Sequence, residues 1–277
     1  MATQQFGGIW TVEKLDIFTK YLKEYLKVMK NQPYYHTIYI DAFAGTGKID
    51  INGSKEEIEG SVRLALNSDR EFDKYIFIEK KKSYARELRT IVDSEYNNLS
   101  NKIEIKNEDC NLVLQSICRD TKWHSNRAML FLDPYAADVE WNTLEAVAAT
   151  KAIDVWYLFP FSAAQRMLKK DGKINESWKN KLDSLFGDKN WYNRFYIPDP
   201  QTNIFGEEGM IKDVNTKELS SYIIERLEAL FPAVAKEPRM LHNKMNSPLF
   251  LFCFAIANDS PKAIGAALRI ANHILKN

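Results

Sequence analysis

Four carboxylates close four apolar runs in this chain. Asp41 follows Thr37-Ile38-Tyr39-Ile40, Glu79 follows Tyr75-Ile76-Phe77-Ile78, Asp109 stands just beyond Ile103-Glu104-Ile105, and Asp133 follows Ala128-Met129-Leu130-Phe131-Leu132. In open parallel α/β sheets, ligands sit outside the carboxyl ends of the strands, where the strand order reverses. A row of acids at those ends is the wall of a candidate cleft. The first run also leads into Ala44-Gly45-Thr46-Gly47, whose glycines let the backbone approach a ligand closely and adopt positive φ. Three nucleotide sites use such loops. A Walker A loop fails here, because Ala42 occupies its first glycine position and Ile49 follows Lys48. A dinucleotide fingerprint is weak, since Asp50 replaces its third glycine. An S-adenosylmethionine (SAM) site needs an acid at the strand end, a short glycine loop and a second acid at the next strand end. Asp41, Phe43, Ala44, Gly45 and Gly47, with Glu79, provide these. Glu79 is then the acceptor for both ribose hydroxyls, and Asp109 the acceptor for the adenine amine. The plainer alternatives are a tight turn holding no ligand and, for Asp109, an N-cap on a helix starting near Asn111. Capping and binding are compatible.

Leu130-Phe131-Leu132-Asp133-Pro134-Tyr135 carries the second signal. Asp133 can accept a hydrogen bond, Pro134 ends the strand and presents a free carbonyl, and Tyr135 can stack on a planar ring, worth about 1–3 kcal/mol for a nucleobase. Together they can hold an amino group whose lone pair points at a sulfonium methyl, a displacement that needs an in-line approach of roughly 3–3.5 Å. A carboxylate that aligns the amine and receives its proton contributes roughly 10²–10⁴-fold. The alternative is an ordinary Asp-Pro turn. His36, His124, His242 and His273 show no ligand spacing, so no metal is expected. Cys110 has no histidine in sequence reach and reads as helix packing. Lys80-Lys81-Lys82 reads as a solvated helix start. Phe159-Pro160-Phe161 is either a wall of the acceptor pocket or core.

The elements that must position these residues alternate. Helical spacing runs over Val12–Met29, with Thr11 as its expected N-cap, and again over Val62–Leu66 and from Lys80 to Val92. With Ile153–Phe159 as a fifth strand, the pattern predicts a parallel sheet covered on both faces. Residues 171–218 break the rhythm and are expected to form an insertion or cap subdomain within a single domain spanning 1–277. Arg239–His242 and Leu249–Ala257 are expected to pair as an antiparallel hairpin between helices at Leu219–Phe231 and Ala263–Leu275. The 277 residues are 45% hydrophobic and hold 38 basic against 37 acidic side chains, a net charge of +1. That balance argues against binding nucleic acid by bulk charge, though not against a local groove. No apolar run approaches the ~20 residues that span a bilayer. Cys110, Cys118 and Cys253 lack CxxC spacing, and with no basic leader at the N-terminus a cytoplasmic location is expected.

Trp10-Thr11 with Lys14-Leu15, the Asp41–Gly47 loop, Phe131–Tyr135, and Asp154–Pro160 together resemble the three-Cys-motif partner proteins, a bacterial family related to class I SAM-dependent methyltransferases. The resemblance runs from about residue 10 to 170 and loosely onward to Pro248-Leu249-Phe250. It implies a Rossmann-like, seven-stranded, mostly parallel methyltransferase fold with an N-terminal helix, and a partner protein bearing three cysteines. A wider likeness is to adenine amino-methyltransferases, whose fourth strand ends in Asp-Pro-Pro-Tyr or Phe. Asp133 and Pro134 match its first two positions, and one proline is missing before Tyr135. The function expected is SAM-dependent N-methylation of a nucleobase in RNA or DNA. The alternatives are a non-catalytic or partner-dependent SAM-binding regulator, or a methyltransferase for a small molecule or protein side chain.

Overall fold

The computed structural model describes residues 9–50, 57–200 and 209–276. In chain order the elements are α1 (Ile9–Lys30), β1 (His36–Asp41), β2 (Lys48–Asp50), β3 (Glu57–Glu59), α2 (Ser61–Leu66), β4 (Lys74–Ile78), α3 (Lys82–Glu95), β5 (Ile103–Lys106), α4 (Cys110–Asp120), β6 (Asn126–Leu132), α5 (Trp141–Ala149) and β7 (Ile153–Phe159). They continue as α6 (Phe161–Met167), α7 (Glu176–Phe186), α8 (Trp191–Phe195), β8 (Tyr196–Pro198), β9 (Met210–Lys212), α9 (Thr216–Glu228), β10 (Ala233–Val234), β11 (Arg239–His242), β12 (Pro248–Ile256) and α10 (Pro261–Lys276).

The main sheet runs β10-β12-β7-β6-β1-β4-β5. Its five central strands are parallel, and β12 lies antiparallel to β7. β10 and β11 pair successive stretches of the outer edge of β12, so eight strands fill seven positions. β1 is bonded to β4 on one side and to β6 on the other, which makes its carboxyl end the point where the winding reverses. This is the Rossmann-like α/β sheet the sequence predicts, with the expected C-terminal hairpin built into its edge. No helix among the described residues is long and apolar enough to cross a membrane.

Strand periodicity divides the core. Ile38, Ile40, Leu130, Leu132, Val155 and Tyr157 face one layer of helices, whereas Tyr39, Phe77, Met129, Phe131, Trp156 and Leu158 face α1, α2, α3 and α10. Helix α1 docks on the second face through Phe18, Leu22, Leu26 and Met29, all buried. That burial contributes on the order of 10 kcal/mol, far more than a buried ion pair, whose net value is near zero. Apolar packing, rather than any charge, therefore sets where the polar residues of α1 fall. Thr11 is not the N-cap expected from the sequence: the helix already includes Ile9 and Trp10, and Thr11 is buried as the third residue of α1.

The 171–218 segment supplies α7, α8 and the β8–β9 hairpin. Leu182, Leu185, Phe186, Trp191, Phe195 and Tyr196 are buried in the same core as β7, and Phe186 stacks on Phe159 at 6.1 Å. Each of its elements is short, which is why no long periodicity shows in the sequence. Gly187 ends α7 with φ +64, and a Cβ there would fall 2.0 Å from the Trp141 ring, at the start of α5. Gly187→Ala should therefore cost roughly 2–4 kcal/mol, from a left-handed alanine and overpacking combined. Denaturant unfolding measures this, and an unchanged midpoint would show that the contact yields freely.

Candidate functional site

The loop leaving β1 is folded back by hydrogen bonds from its own amides. Ala44 N–H donates to the carbonyl of Ile78 at 3.0 Å, and Gly45 N–H to Oε2 of Glu79 at 3.0 Å. Gly45 and Gly47 hold φ of +59 and +77, where a side chain would be strained. Asp41 is fully buried beneath this loop. Its carboxylate accepts from Phe43 N–H at 3.1 Å, Ser61 Oγ at 2.5 Å and Tyr39 OH at 3.3 Å. Burial pushes its carboxyl up to about 6, and the bonds from Ser61 and Phe43 offset only part of that. Asp41 thus ties the loop to the start of α2 from within and lines neither hollow described below.

Glu79 is nearly buried, and both of its oxygens are engaged: Oε2 by Gly45 and Oε1 by Lys81 N–H at 2.7 Å. Burial still raises its carboxyl above the ordinary range. Asp109 caps α4, accepting from Asn111 N–H at 2.9 Å, and pairs with the exposed Lys80 at 3.0 Å. Burial works to raise its carboxyl, but the Lys80 ammonium and the Asn111 bonds outweigh that and hold it below the ordinary value. Asn111 is itself buried. It donates to the carbonyl of Asp138 at 2.8 Å and accepts from Glu140 N–H and Thr143 Oγ1, which fixes the loop after β6.

Two hollows open at these strand ends and share Phe43 and Tyr135 as walls. One, of about 330 Å³, is polar and carries Glu79, Asp109 and Asn111, with Lys181 of α7 at its edge. Its neighbour, of about 320 Å³, is mostly apolar; the loop from Phe43 to Gly47 forms one side and Asp133, Pro134 and Tyr135 another. Trp10, Lys14 and Phe250 enclose it from the α1 side. Both volumes suit part of a small ligand. Of the residues singled out in the sequence, Phe43, Ala44, Gly45, Gly47, Asp133, Pro134 and Tyr135 meet at the apolar hollow, Glu79 and Asp109 at the polar one, and Asp41 lies behind them. Phe159 and Phe161 are core; the neighbouring Ser162 reaches the hollow instead. Cys110 is buried, and its thiol is pushed up to about 12 by that burial, which fits packing rather than nucleophilic chemistry.

Sequence reading quoted Lys14 as part of a family motif but gave it no role in the site. Buried on α1, it forms an ion pair with Oδ2 of Asp133 and sits 5.0 Å from the Trp10 ring. The available signal was a lysine on the apolar stripe of a helix, spaced four and eight residues before Phe18 and Leu22.

No family model matches the chain, and no curated protein matches it. Among solved structures it is similar to a Legionella pneumophila protein of the family model DUF519, at 11% identity over 94% of this chain and 92% of that one, with a TM-score of 0.49. A spermidine synthase solved with the transition-state analogue AdoDATO is similar at 11% identity over 92% of this chain and 62% of its own, TM-score 0.44. The methyltransferase domain of bacterial CtHen1-C shares 13% identity over 87% of this chain and 98% of that domain, TM-score 0.40. At such identities these likenesses concern the fold, and the reading of the site rests on its own geometry.

The buried Asp41 generates a pH prediction. Its carboxyl titrates near 3.8 when unfolded and near 6 when folded. The stability it contributes is complete below pH 3.8 and is lost as pH rises through 6. Relative to Asp41→Asn, the native protein should lose up to about 3 kcal/mol between pH 4 and pH 7. Unfolding both proteins across that range checks the sign; a constant difference would mean that Asp41 is not held in this way.

Proposed function

We propose that the polar hollow and the glycine-loop side of the apolar one hold SAM, that the Lys14–Asp133 side of the apolar hollow is left for the acceptor, and that the protein is a SAM-dependent methyltransferase acting on an amino nitrogen of a nucleobase in RNA or DNA. The observation that carries this is Glu79, a buried carboxylate wired by both oxygens to the backbone of the glycine loop and of Lys81, the N-cap of α3, at the wall of a polar hollow. Each carboxylate oxygen offers about two lone-pair sites, so one on each remains for the two hydroxyls of a ribose. Oδ2 of Asp109 accepts one bond, from Lys80, and keeps a lone pair for an adenine amine, and the Gly45–Gly47 backbone passes close enough to line the methionine half. When bound, SAM supplies a methyl group on a sulfonium. Asp133 then aligns the acceptor amine and takes its proton, the carbonyl of Pro134 offers a second acceptor, and Tyr135, half exposed at the mouth, offers a stacking face.

A second reading, suggested by the resemblance, is a SAM-binding partner of a three-cysteine protein that transfers nothing by itself. One observation favours it: Lys14 already occupies an oxygen of Asp133.

Calorimetry with SAM and with its product S-adenosylhomocysteine tests the cofactor site. The native protein should bind both. Glu79→Ala should bind roughly 10- to 100-fold more weakly, from two lost charge-assisted hydrogen bonds. Transfer of labelled methyl to total RNA, DNA and protein then identifies the acceptor class, and Asp133→Ala should keep SAM affinity while abolishing transfer. No binding by the native protein sinks the proposal. Binding without transfer to any pool supports the second reading.

A further inference from the structure

Methyl transfer uses Asp133 but assigns nothing to Lys14, although a lysine is among the residue types least often buried. Stability does not account for it. Replacing both members of a buried ion pair with apolar side chains is often neutral or stabilising, and α1 is already held by Phe18, Leu22, Leu26 and Met29. The position of the pair is more informative than its energy. Lys14 and Asp133 come from elements 119 residues apart and meet at the wall of the apolar hollow. An ammonium carries three donors and no acceptor, and an ionised carboxylate only acceptors. Asp133 engages one of the three donors, so the pair presents a donor and an acceptor side by side. Aromatic rings line the hollow around them: the Trp10 and Phe250 rings lie 5.0 Å apart at 36°, and Tyr135 is a further part of the lining.

We propose that Lys14 is a specificity-determining residue that reads the acceptor's edge together with Asp133. The complementary edge has an exocyclic amine beside a ring-nitrogen lone pair, as adenine does, with the amine donating to Asp133 and the lone pair accepting from Lys14. A lone hydroxyl or isolated amine offers only one of the two contacts. This inference rests on the methyltransferase reading. In the transfer step the amine lone pair forms the new N–C bond, the electron pair of the broken S–C bond stays on sulfur, and the amine proton passes to Asp133. Lys14 keeps its protons throughout and fixes which way the ring lies.

The test uses the full chain saturated with S-adenosylhomocysteine, so that added nucleosides meet only the Lys14–Asp133 side of the apolar hollow, which the cofactor leaves open. Adenosine, purine riboside (no amine), 1-deazaadenosine and 7-deazaadenosine (each lacking one flanking lone pair) are titrated calorimetrically into the native protein and into Lys14→Met. For the native protein, purine riboside and one deaza analogue should bind roughly tenfold or more weakly than adenosine, because a site built for a polar edge is left unpaired by analogues lacking it. In Lys14→Met the deaza penalty should vanish while the purine riboside penalty persists. A merely structural Lys14 would weaken every ligand alike. Equal binding of adenosine and both deaza analogues, no adenosine binding, or a deaza penalty that survives in Lys14→Met would each overturn the proposal. Failure of the native protein to bind S-adenosylhomocysteine would remove the methyltransferase reading as well; binding it without nucleoside discrimination would remove only the role of Lys14.

Discussion

The hydrogen bond from the Gly45 amide to the Glu79 carboxylate is the interaction on which the site depends. It fastens the loop after β1 to the end of β4, and it does so in a buried place where an unsatisfied partner would cost about 1–3 kcal/mol. With Gly45 held there in the left-handed region, the chain turns back over Asp41, and Gly47 comes to rest against Gly60 through a 3.3 Å backbone bond. Asp41, Ser61 and Glu79 thus form one set of polar groups that shapes the loop. A carboxylate used in this way is both a strut and a wall, which explains why burial raises it while two amides still bond to it.

The placement of the second hollow follows from strand parity and helix docking. Phe131 faces the layer of α1, and Asp133, two residues on, meets Lys14 of that helix. Because α1 is held by apolar burial, the ammonium is delivered to the site by packing and need not provide its own binding energy. The outcome is a cleft with two characters: carboxylates and a helix cap on one side of Phe43 and Tyr135, apolar walls with one ion pair on the other.

Much of this was legible in the chain. The central strands were marked by apolar runs ending in acids, and the position of Gly45, Glu79, Asp109 and Asp133 at strand ends followed from those runs. The helices of 171–218 were hidden because each spans only a few turns, and their buried faces are set by contacts with Phe159 and Trp141 that no local pattern encodes. Asp41 was expected to face the ligand; it lies inside, because Ser61 and the Phe43 amide claim its oxygens. Lys14 was quoted in a motif without a role because its meaning comes from a partner 119 residues away. Thr11 misled because a capping residue type can equally be buried within the first turns of a helix.

The central claim is that carboxylates from separate strand ends grip one adenosyl group beside the glycine loop. A crystal structure with S-adenosylhomocysteine bound tests it most directly. The ribose hydroxyls should lie within about 3 Å of Glu79, the adenine beside Asp109, and the sulfur should face Asp133 across Phe43 and Tyr135. A ligand seated elsewhere, or a ribose turned away from Glu79, would contradict the account.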